Sequence, residues 1–350
     1  MTTVEFERVG IYEANVDGSG DTFQFDINVE NARIPLLKEK FVFSKQYKYL
    51  DDPLDVTARK NEKFEDKGAG ERMETILEYI KKMNPSETNL KKKINSDIVC
   101  NRGLLVEIAL GKADFRAVRR KGVIFLCSMY AGQKNYLKKI RLNLISGTKF
   151  ARHMTVAENK DKILSTGHFT KVVNRVTFSK TNVSPITVFS SAEVDAIDNC
   201  DLANGNLIEI KCWECHEASK YTRAMLQSYF GGIPIIMIGK KKKFDKKYFV
   251  NLIDVHHVDD LKYQHGIDFE EYIDRVYNMF SELNKRLDSD DKAVRVIMKL
   301  SERTRFEVIN ADDCDFVSHD FLNTFDEKAP NIRSDEEAFT MINTMIIFVY

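Results

Sequence analysis

Apolar and polar positions alternate along the chain with two periods, one near 3.6 residues and one near two. The longer period is clearest over residues 267–287, where apolar side chains recur every three or four positions and predict an amphipathic helix. The same pattern predicts helices over residues 71–83 and 217–230, and one or two helices within residues 135–157. In that last segment we expect residues 147–150 to lie in or beside a turn, because a glycine opens them.

Short apolar runs bounded by polar or glycine-containing segments predict strands between these helices. They cover residues 23–29, 122–130, 185–197, 207–213, 233–238, 248–255, 293–300 and 305–310. The lysines at positions 240–243 and 246–247 predict a basic turn between two of these strands.

The composition is that of a soluble globular protein. The 350 residues are 43% hydrophobic and 30% charged, which is enough apolar material for a sizeable core. The formal net charge of +0 argues against broad, non-specific coating of nucleic acid, but it allows a local basic groove. We expect a single domain over residues 1–350, with the residues that carry chemistry concentrated between about 94 and 255.

The six cysteines are interpreted as reduced thiols. The mixed, acidic N-terminus does not resemble a secretory signal, and no apolar run reaches transmembrane length. We therefore expect a nuclear or cytoplasmic protein, or both, that is not secreted and has no membrane contact. Cys212 and Cys215 have the spacing of a thiol redox pair, which is a less favoured second use of that segment.

Four charged residues on two predicted strands form the candidate site. Glu193 and Asp195 are two positions apart, so on a strand their side chains share one face. Glu209 and Lys211 share a face of the following strand for the same reason. The Asn-Gly dipeptide at 204–205 predicts a hairpin turn between the strands, because both residues tolerate positive φ.

If these two faces coincide, three carboxylates and one ammonium converge. Carboxylates that close repel each other unless a cation lies among them, and hard divalent cations prefer oxygen ligands. A lysine beside such an ion can orient or deprotonate a water molecule. The pattern resembles the PD-(D/E)xK nuclease core. The alternative is that Glu-x-Lys marks two solvated side chains on an ordinary strand.

A single arginine, Arg102, interrupts the apolar run at residues 98–105. Burying an unpaired guanidinium is costly, so it must find a partner or face a cleft. A structural ion pair and bidentate binding of a phosphate are both open.

Five short motifs occur in an order that resembles the DXO family of RNA 5′-end decapping exonucleases. They are NRGLL at 101–105, GTKF at 147–150, AEVD at 192–195, IEIK at 208–211 and LQSYFGGIP at 226–234. The resemblance covers about residues 94–255. It implies a mixed α/β fold with two mixed β-sheets flanked by helices, a catalytic cleft and a PD-(D/E)xK-like core.

The resemblance also implies an activity and a role for each matching residue. Members hydrolyse incomplete or nonstandard RNA caps, including NAD-type caps, remove 5′ triphosphates and degrade RNA from its 5′ end, in mRNA quality control. Two Mg²⁺ or Mn²⁺ ions would assist, and the partner would be an RNA 5′ end, with no protein partner indicated. The resemblance implies that Arg102 binds the substrate, that Lys211 contacts the nucleophilic water and that Gln227 contacts the scissile phosphate. The implied metal ligands are Glu193, Asp195, Glu209 and the Ile210 carbonyl.

Two positions depart from the family pattern. Ala151 stands where the family is expected to carry a metal-associated glutamate, and Gly239-Lys240-Lys241 stand where it tends to carry an aromatic residue and an arginine. An RNA-end or nucleotide-binding protein with weakened catalysis is therefore an alternative to the active enzyme. A nuclease directed at DNA is a third reading of the same core.

Overall fold

The computed structural model describes residues 1–18, 23–42, 47–59, 62–68, 71–130, 141–156, 164–214, 218–263 and 267–325. The strands in these ranges are β1 (Thr3–Asp17), β2 (Gln24–Asn28), β3 (Tyr47–Asp55), β4 (Phe64–Glu65), β5 (Ile98–Asn101), β6 (Ala113–Arg120), β7 (Val123–Ser128), β8 (Leu164–Ser165), β9 (His168–Lys180), β10 (Val183–Val194), β11 (Ala196–Ile197), β12 (Leu207–Trp213), β13 (Ile235–Phe244), β14 (Lys247–His257), β15 (Ala293–Met298) and β16 (Arg305–Ile309).

The described helices are α1 (Glu74–Lys82), α2 (Leu90–Ile94), α3 (Arg102–Ala109), α4 (Arg141–Met154), α5 (Ala218–Gly231), α6 (Val258–Leu261), α7 (Phe269–Arg286) and α8 (His319–Asn323). None of them is both long enough and apolar enough to cross a bilayer. The helices expected at 71–83, 217–230 and 267–287 are confirmed as α1, α5 and α7, and residue 217 lies outside the described residues.

Two large mixed sheets organise the described chain, which confirms the expected α/β class. A nine-stranded sheet has the order β16-β15-β6-β7-β5-β10-β9-β1-β2, and a five-stranded sheet has the order β11-β12-β13-β14-β3. A third, two-stranded sheet pairs β4 with β8. The strands β1 and β9, which sequence patterning did not identify, pair along most of their length and extend the larger sheet.

The helices fill the space between the two large sheets and cover their outer faces. Side chains of α3, α5 and α7 form one apolar cluster with the inner faces of both sheets. The outer face of the nine-stranded sheet packs against α1 and α8, and that of the five-stranded sheet packs against α4. A smaller apolar cluster packs the two sheets directly against each other, with Val172 and Val194 of the larger sheet beside Leu207 of the smaller one.

The chain passes from the larger sheet to the smaller one at Asp195. β10 ends at Val194 within the nine-stranded sheet, and β11 pairs with β12 in the five-stranded sheet. The strand predicted over residues 185–197 is therefore two strands that belong to different sheets. Asp195 lies at the junction, where no strand pairing constrains its side chain to the face of Glu193.

The hairpin between β11 and β12 is confirmed, but its predicted turn type is wrong. The backbone N–H groups of Asn204 and Gly205 both donate to the carbonyl of Asp201, at 3.1 and 2.7 Å. Neither Asn204 nor Gly205 has positive φ. Glycine is needed at 205 for space, because a Cβ there would lie 2.6 Å from Cδ1 of Ile197.

The prediction of a turn at residues 147–150 is also wrong, because these residues lie within α4. Ser146 and Phe150 are buried one turn apart and hold the helix against the sheet. Tertiary packing therefore outweighs the low helix propensity of Gly147. Residues 135–140, where a second helix was considered, lie outside the described residues.

The prediction of a basic turn at residues 240–243 is also wrong, because tertiary contacts again override the local pattern. β13 continues through residues 240–243, and the turn to β14 is made by Asp245 and Lys246, both with positive φ. Lys240 and Lys241 are buried, because each finds an acidic partner: Asp254 lies 2.6 Å from Lys240 and Glu214 lies 3.8 Å from Lys241.

Gly239 lets α4 approach the five-stranded sheet closely. A Cβ at Gly239 would lie 2.6 Å from the ring of Phe150. We expect Gly239→Ala to lower the free energy of unfolding by about 1–3 kcal/mol through overpacking. Gly147→Ala, whose Cβ would meet open space, is the matched control and should raise it by about 0.5–1 kcal/mol. Chemical denaturation checks both values, and a Gly239→Ala protein as stable as the wild type would contradict this packing account.

Candidate active site

Glu209 is a buried carboxylate held between two cations. Its side chain is 2% exposed, and its Oε2 accepts a hydrogen bond from Nη1 of Arg102 at 2.8 Å. Its Oε1 accepts another from Nζ of Lys211. Burial alone would raise the pKa of Glu209, but the neighbouring Arg102 and Lys211 outweigh it and lower the pKa to about 2. Glu209 therefore carries its negative charge at every physiological pH.

Arg102 reaches this carboxylate from the other sheet. It is the first residue of α3, which follows β5 directly, and β5 pairs with β10 in parallel. The preceding Asn101 is fixed because its Oδ1 accepts a hydrogen bond from Oγ of Ser191 at 2.8 Å. The ion pair that the sequence left as one of two readings is therefore present. It does not exclude a further contact of the guanidinium with a phosphate, because an arginine has five N–H donors.

Asp195 lies against the edge of β12. Its Oδ2 accepts a hydrogen bond from the backbone N–H of Ile210 at 2.6 Å. The N–H and C=O of one strand residue point to the same side, so the Ile210 carbonyl also faces the side of Asp195. Burial and the nearby charge of Glu209 raise the pKa of Asp195 to about 7, although Lys211 opposes them. A carboxylate with this pKa is stabilised by any additional positive charge.

Glu193 is exposed and lines a cavity, whose walls limit its contact with bulk water. This partial burial raises the pKa of Glu193, and Arg102 and Lys171 counteract it only in part. Lys171 lies directly opposite Glu193 in the pairing of β9 with β10. The Lys171 ammonium is buried and hydrogen-bonded to Glu71.

Lys171 and Glu71 were not identified from the sequence. β9 carries alternating apolar residues that could have indicated a strand, but nothing local shows that its lysine faces Glu193. Strand register is set by long-range pairing, so this contact becomes visible only in the fold.

Most of the candidate residues border one large cavity of about 2650 Å³, whereas Arg102 and Glu209 lie behind its lining residues. Glu193, Asp195, Lys211 and Gln227 all line it. Gln227 comes from α5 and is half-buried, which places its amide on the wall formed by that helix. A space of this size accommodates a ligand larger than a single nucleotide, because drug-sized ligands occupy about 300–1,000 Å³.

Both positions that depart from the family pattern border the same cavity. Ala151 lies on α4, which packs against the outer face of β12, and lines the cavity beside Ile210. Lys241 lines it from β13, with its ammonium 4.9 Å from the centre of the Tyr248 ring. The chain thus has a methyl group at 151, where an acidic side chain would reach the cavity.

The donor set at this site suits a hard divalent cation. Three carboxylates and a backbone carbonyl are oxygen donors. Burial is the main cause of the raised pKa values of Asp195 and Glu193, and the neighbouring Glu209 carboxylate adds to it. Within the described ranges, however, no three acidic, histidine or cysteine side chains already form a close ligand cluster. Both oxygens of Glu209 accept hydrogen bonds from cationic side chains, Arg102 and Lys211.

The redox reading of Cys212 receives no support from its surroundings. Burial raises the pKa of the Cys212 thiol to about 12, and a reactive cysteine needs a lowered pKa. Cys215 lies outside the described residues.

Comparison with known proteins gives relatives with this architecture. The chain is 24% identical to the decapping nuclease dom-3 of Caenorhabditis elegans over 296 residues, which covers 75% of this chain and 74% of that protein. Rai1 of Scheffersomyces stipitis, solved with (3′-NADP)⁺ and calcium, has a TM-score of 0.69 at 14% identity, covering 92% of this chain and 97% of its own. Rai1 of Candida albicans, solved with pU5-Mn²⁺, has a TM-score of 0.65 at 13% identity, covering 93% and 96%. These two structural matches show a shared fold.

The sequence profile described as "RAI1 like PD-(D/E)XK nuclease" matches residues 37–325. That span includes every residue of the cavity site discussed above. The chain belongs to the RAI1-like PD-(D/E)XK nuclease family.

Proposed function

We propose that this protein is a metal-dependent hydrolase of RNA 5′ ends that removes nonstandard caps and 5′ triphosphates and degrades the RNA from that end. The observation that carries the proposal is the meeting of Asp195, Glu209 and Lys211 beside a cavity large enough for an oligonucleotide end. The relatives support the substrate class, since one is a decapping nuclease and another was solved with pU5-Mn²⁺. An RNA substrate and reduced thiols fit a nuclear or cytoplasmic protein.

We assign the metal-binding role to Asp195, Glu209 and the Ile210 carbonyl, with Glu193 as an auxiliary ligand and two Mg²⁺ or Mn²⁺ ions as the expected complement. Such ions supply positive charge at phosphate oxygens and lower the pKa of a bound water. Each oxygen of Glu209 has a second lone pair, so Glu209 could bind an ion while it keeps its hydrogen bonds to Arg102 and Lys211. The donors of Arg102 that Glu209 does not use would be available to a substrate phosphate.

Lys211 acts as a hydrogen-bond donor rather than as a general base in this proposal. Burial would lower its pKa, but Glu209 and Asp195 outweigh burial and raise it, so the ammonium keeps its proton. A protonated Lys211 orients the attacking water or stabilises negative charge that develops on the phosphate. Gln227 fixes the phosphate from the wall of α5, and Arg223 and Lys241 add positive charge along the cavity.

A second candidate function is binding of RNA ends or nucleotides with little turnover. It is favoured by Ala151, which leaves the cavity without the carboxylate that the family carries at this position. Magnesium needs few protein ligands because it keeps several waters, so a water could occupy this place. The two functions therefore differ in turnover and in metal affinity, and both can be measured.

We expect Asp195→Asn to reduce hydrolysis of 5′-triphosphorylated and NAD-capped RNA by about 100-fold or more, because it removes a charged ligand at the reacting phosphate. Product release is measured with Mg²⁺ or Mn²⁺ present. The exposed Asp52→Asn serves as the matched control and should retain wild-type rates. Wild-type turnover in the Asp195→Asn protein would contradict the assignment. A wild-type protein that binds RNA ends without any product would favour the second candidate.

Restoring acidity at position 151 tests the weakened-site alternative. We expect Ala151→Glu to raise metal affinity and turnover by about 10-fold or more, because an added carboxylate ligand strengthens binding of a hard cation. Ala151→Gln has nearly the same shape without the charge and should not produce this gain. Calorimetric metal titration and the RNA assay give the two readouts. Equal behaviour of the Glu and Gln variants would show that a charge at 151 does not act on the site.

A further inference from the structure

Trp213 lies on the catalytic face of β12, beyond Lys211. Alternate residues of a strand share a face, so Glu209, Lys211 and Trp213 follow one another along the same side. Two strand residues span about 6.6 Å. A nucleoside whose phosphate is held near Lys211 can therefore reach the indole ring.

The indole ring is supported from behind by a buried aromatic residue. The Tyr221 ring of α5 meets it edge to face, with centroids 5.7 Å apart and an interplanar angle of 72°. Tyr221 is 3% exposed, and its hydroxyl accepts a hydrogen bond from Nζ of Lys240 at 2.8 Å. Lys240 is in turn paired with Asp254 at 2.6 Å. The Trp213 ring thus rests on a fixed support.

The remaining surface of Trp213 is available to a ligand. The residue is only partly buried and lines the large cavity. Its Nε1–H is enclosed and has no hydrogen-bond acceptor among the described residues. The enclosed N–H is therefore not the part of the indole that a ligand in the cavity contacts, and the accessible part of the ring is the surface that a ligand can meet.

The charges around Trp213 indicate what kind of ligand this is. Lys211, Lys241 and Arg223 line the same cavity and suit the phosphates of a polyanion. An aromatic face among such cations is the combination that single-stranded nucleic-acid sites use, where bases stack and the backbone follows the positive charge.

We propose that Trp213 is a base-stacking residue that holds a nucleobase of the RNA end beside the reacting phosphate. The proposal rests on the proposed function and deepens it, because it assigns the recognition of a base to one side chain. It also gives a purpose to the hydrogen bond by which Lys240 fixes Tyr221 behind the indole.

The chain contains one tryptophan, so its fluorescence reports on this position alone. Wild-type protein is titrated with a phosphorothioate-linked 5′-phosphorylated pentauridylate and Mg²⁺, and with the same oligonucleotide whose first nucleotide lacks a base. Binding is followed separately by anisotropy of a 3′ dye. We expect quenching of Trp213 by the complete oligonucleotide and a clearly smaller change with the abasic one.

Two variants separate stacking from a packing role. Trp213→Leu keeps an apolar side chain without a π-face, and it should weaken binding of the complete oligonucleotide by about 10-fold while leaving the abasic one unaffected. Trp213→Phe should recover most of the lost affinity. Binding without quenching, equal quenching by both oligonucleotides, or equal weakening of both by Trp213→Leu would overturn the stacking role and leave the proposed function standing. Failure of both oligonucleotides to bind the wild type would contradict the proposed function and the inference with it.

Discussion

The buried contact of Glu209 with Arg102 and Lys211 is the constraint on which the site depends. Glu209 and Lys211 belong to the five-stranded sheet, whereas Arg102 starts the helix that follows a strand of the nine-stranded sheet. The 2.8 Å ion pair therefore ties the two sheets together beside the cavity. Removing one partner of a buried pair typically costs about 3–5 kcal/mol, because the other charge is left uncompensated. The pair thus couples the relative position of the sheets to the electrostatics of the site.

This arrangement gives neighbouring carboxylates opposite properties. Glu209 is held ionised by its two cations, while Asp195 and Glu193 have raised pKa values because burial dominates their surroundings. Added positive charge would therefore stabilise the ionised forms of Asp195 and Glu193, both of which line the cavity. Lys171, opposite Glu193, supplies part of that compensation from the nine-stranded sheet.

The sequence indicated which side chains form the candidate site, but it did not indicate how strands and helices bring them together. The Glu-x-Lys pair on β12 was recognised because the alternation of side chains along a strand is a local pattern. The amphipathic helix α7 was recognised because its apolar repeat is also local. The break at Asp195 was missed because the apolar run continues through it, although the run enters a second sheet. The turn at residues 147–150 and the basic turn at 240–243 were misread because helix packing and buried ion pairs override local propensity there.

The central claim is that side chains from two different sheets together form a site for divalent cations. Crystals of the protein soaked in Mn²⁺ and measured for anomalous scattering test it most directly. The account predicts an anomalous peak in the cavity within bonding distance of Asp195 and the Ile210 carbonyl, with Glu209 turned towards it. Well-ordered Asp195 and Glu209 side chains with no peak between them, at Mn²⁺ concentrations that saturate the protein in solution, would contradict it.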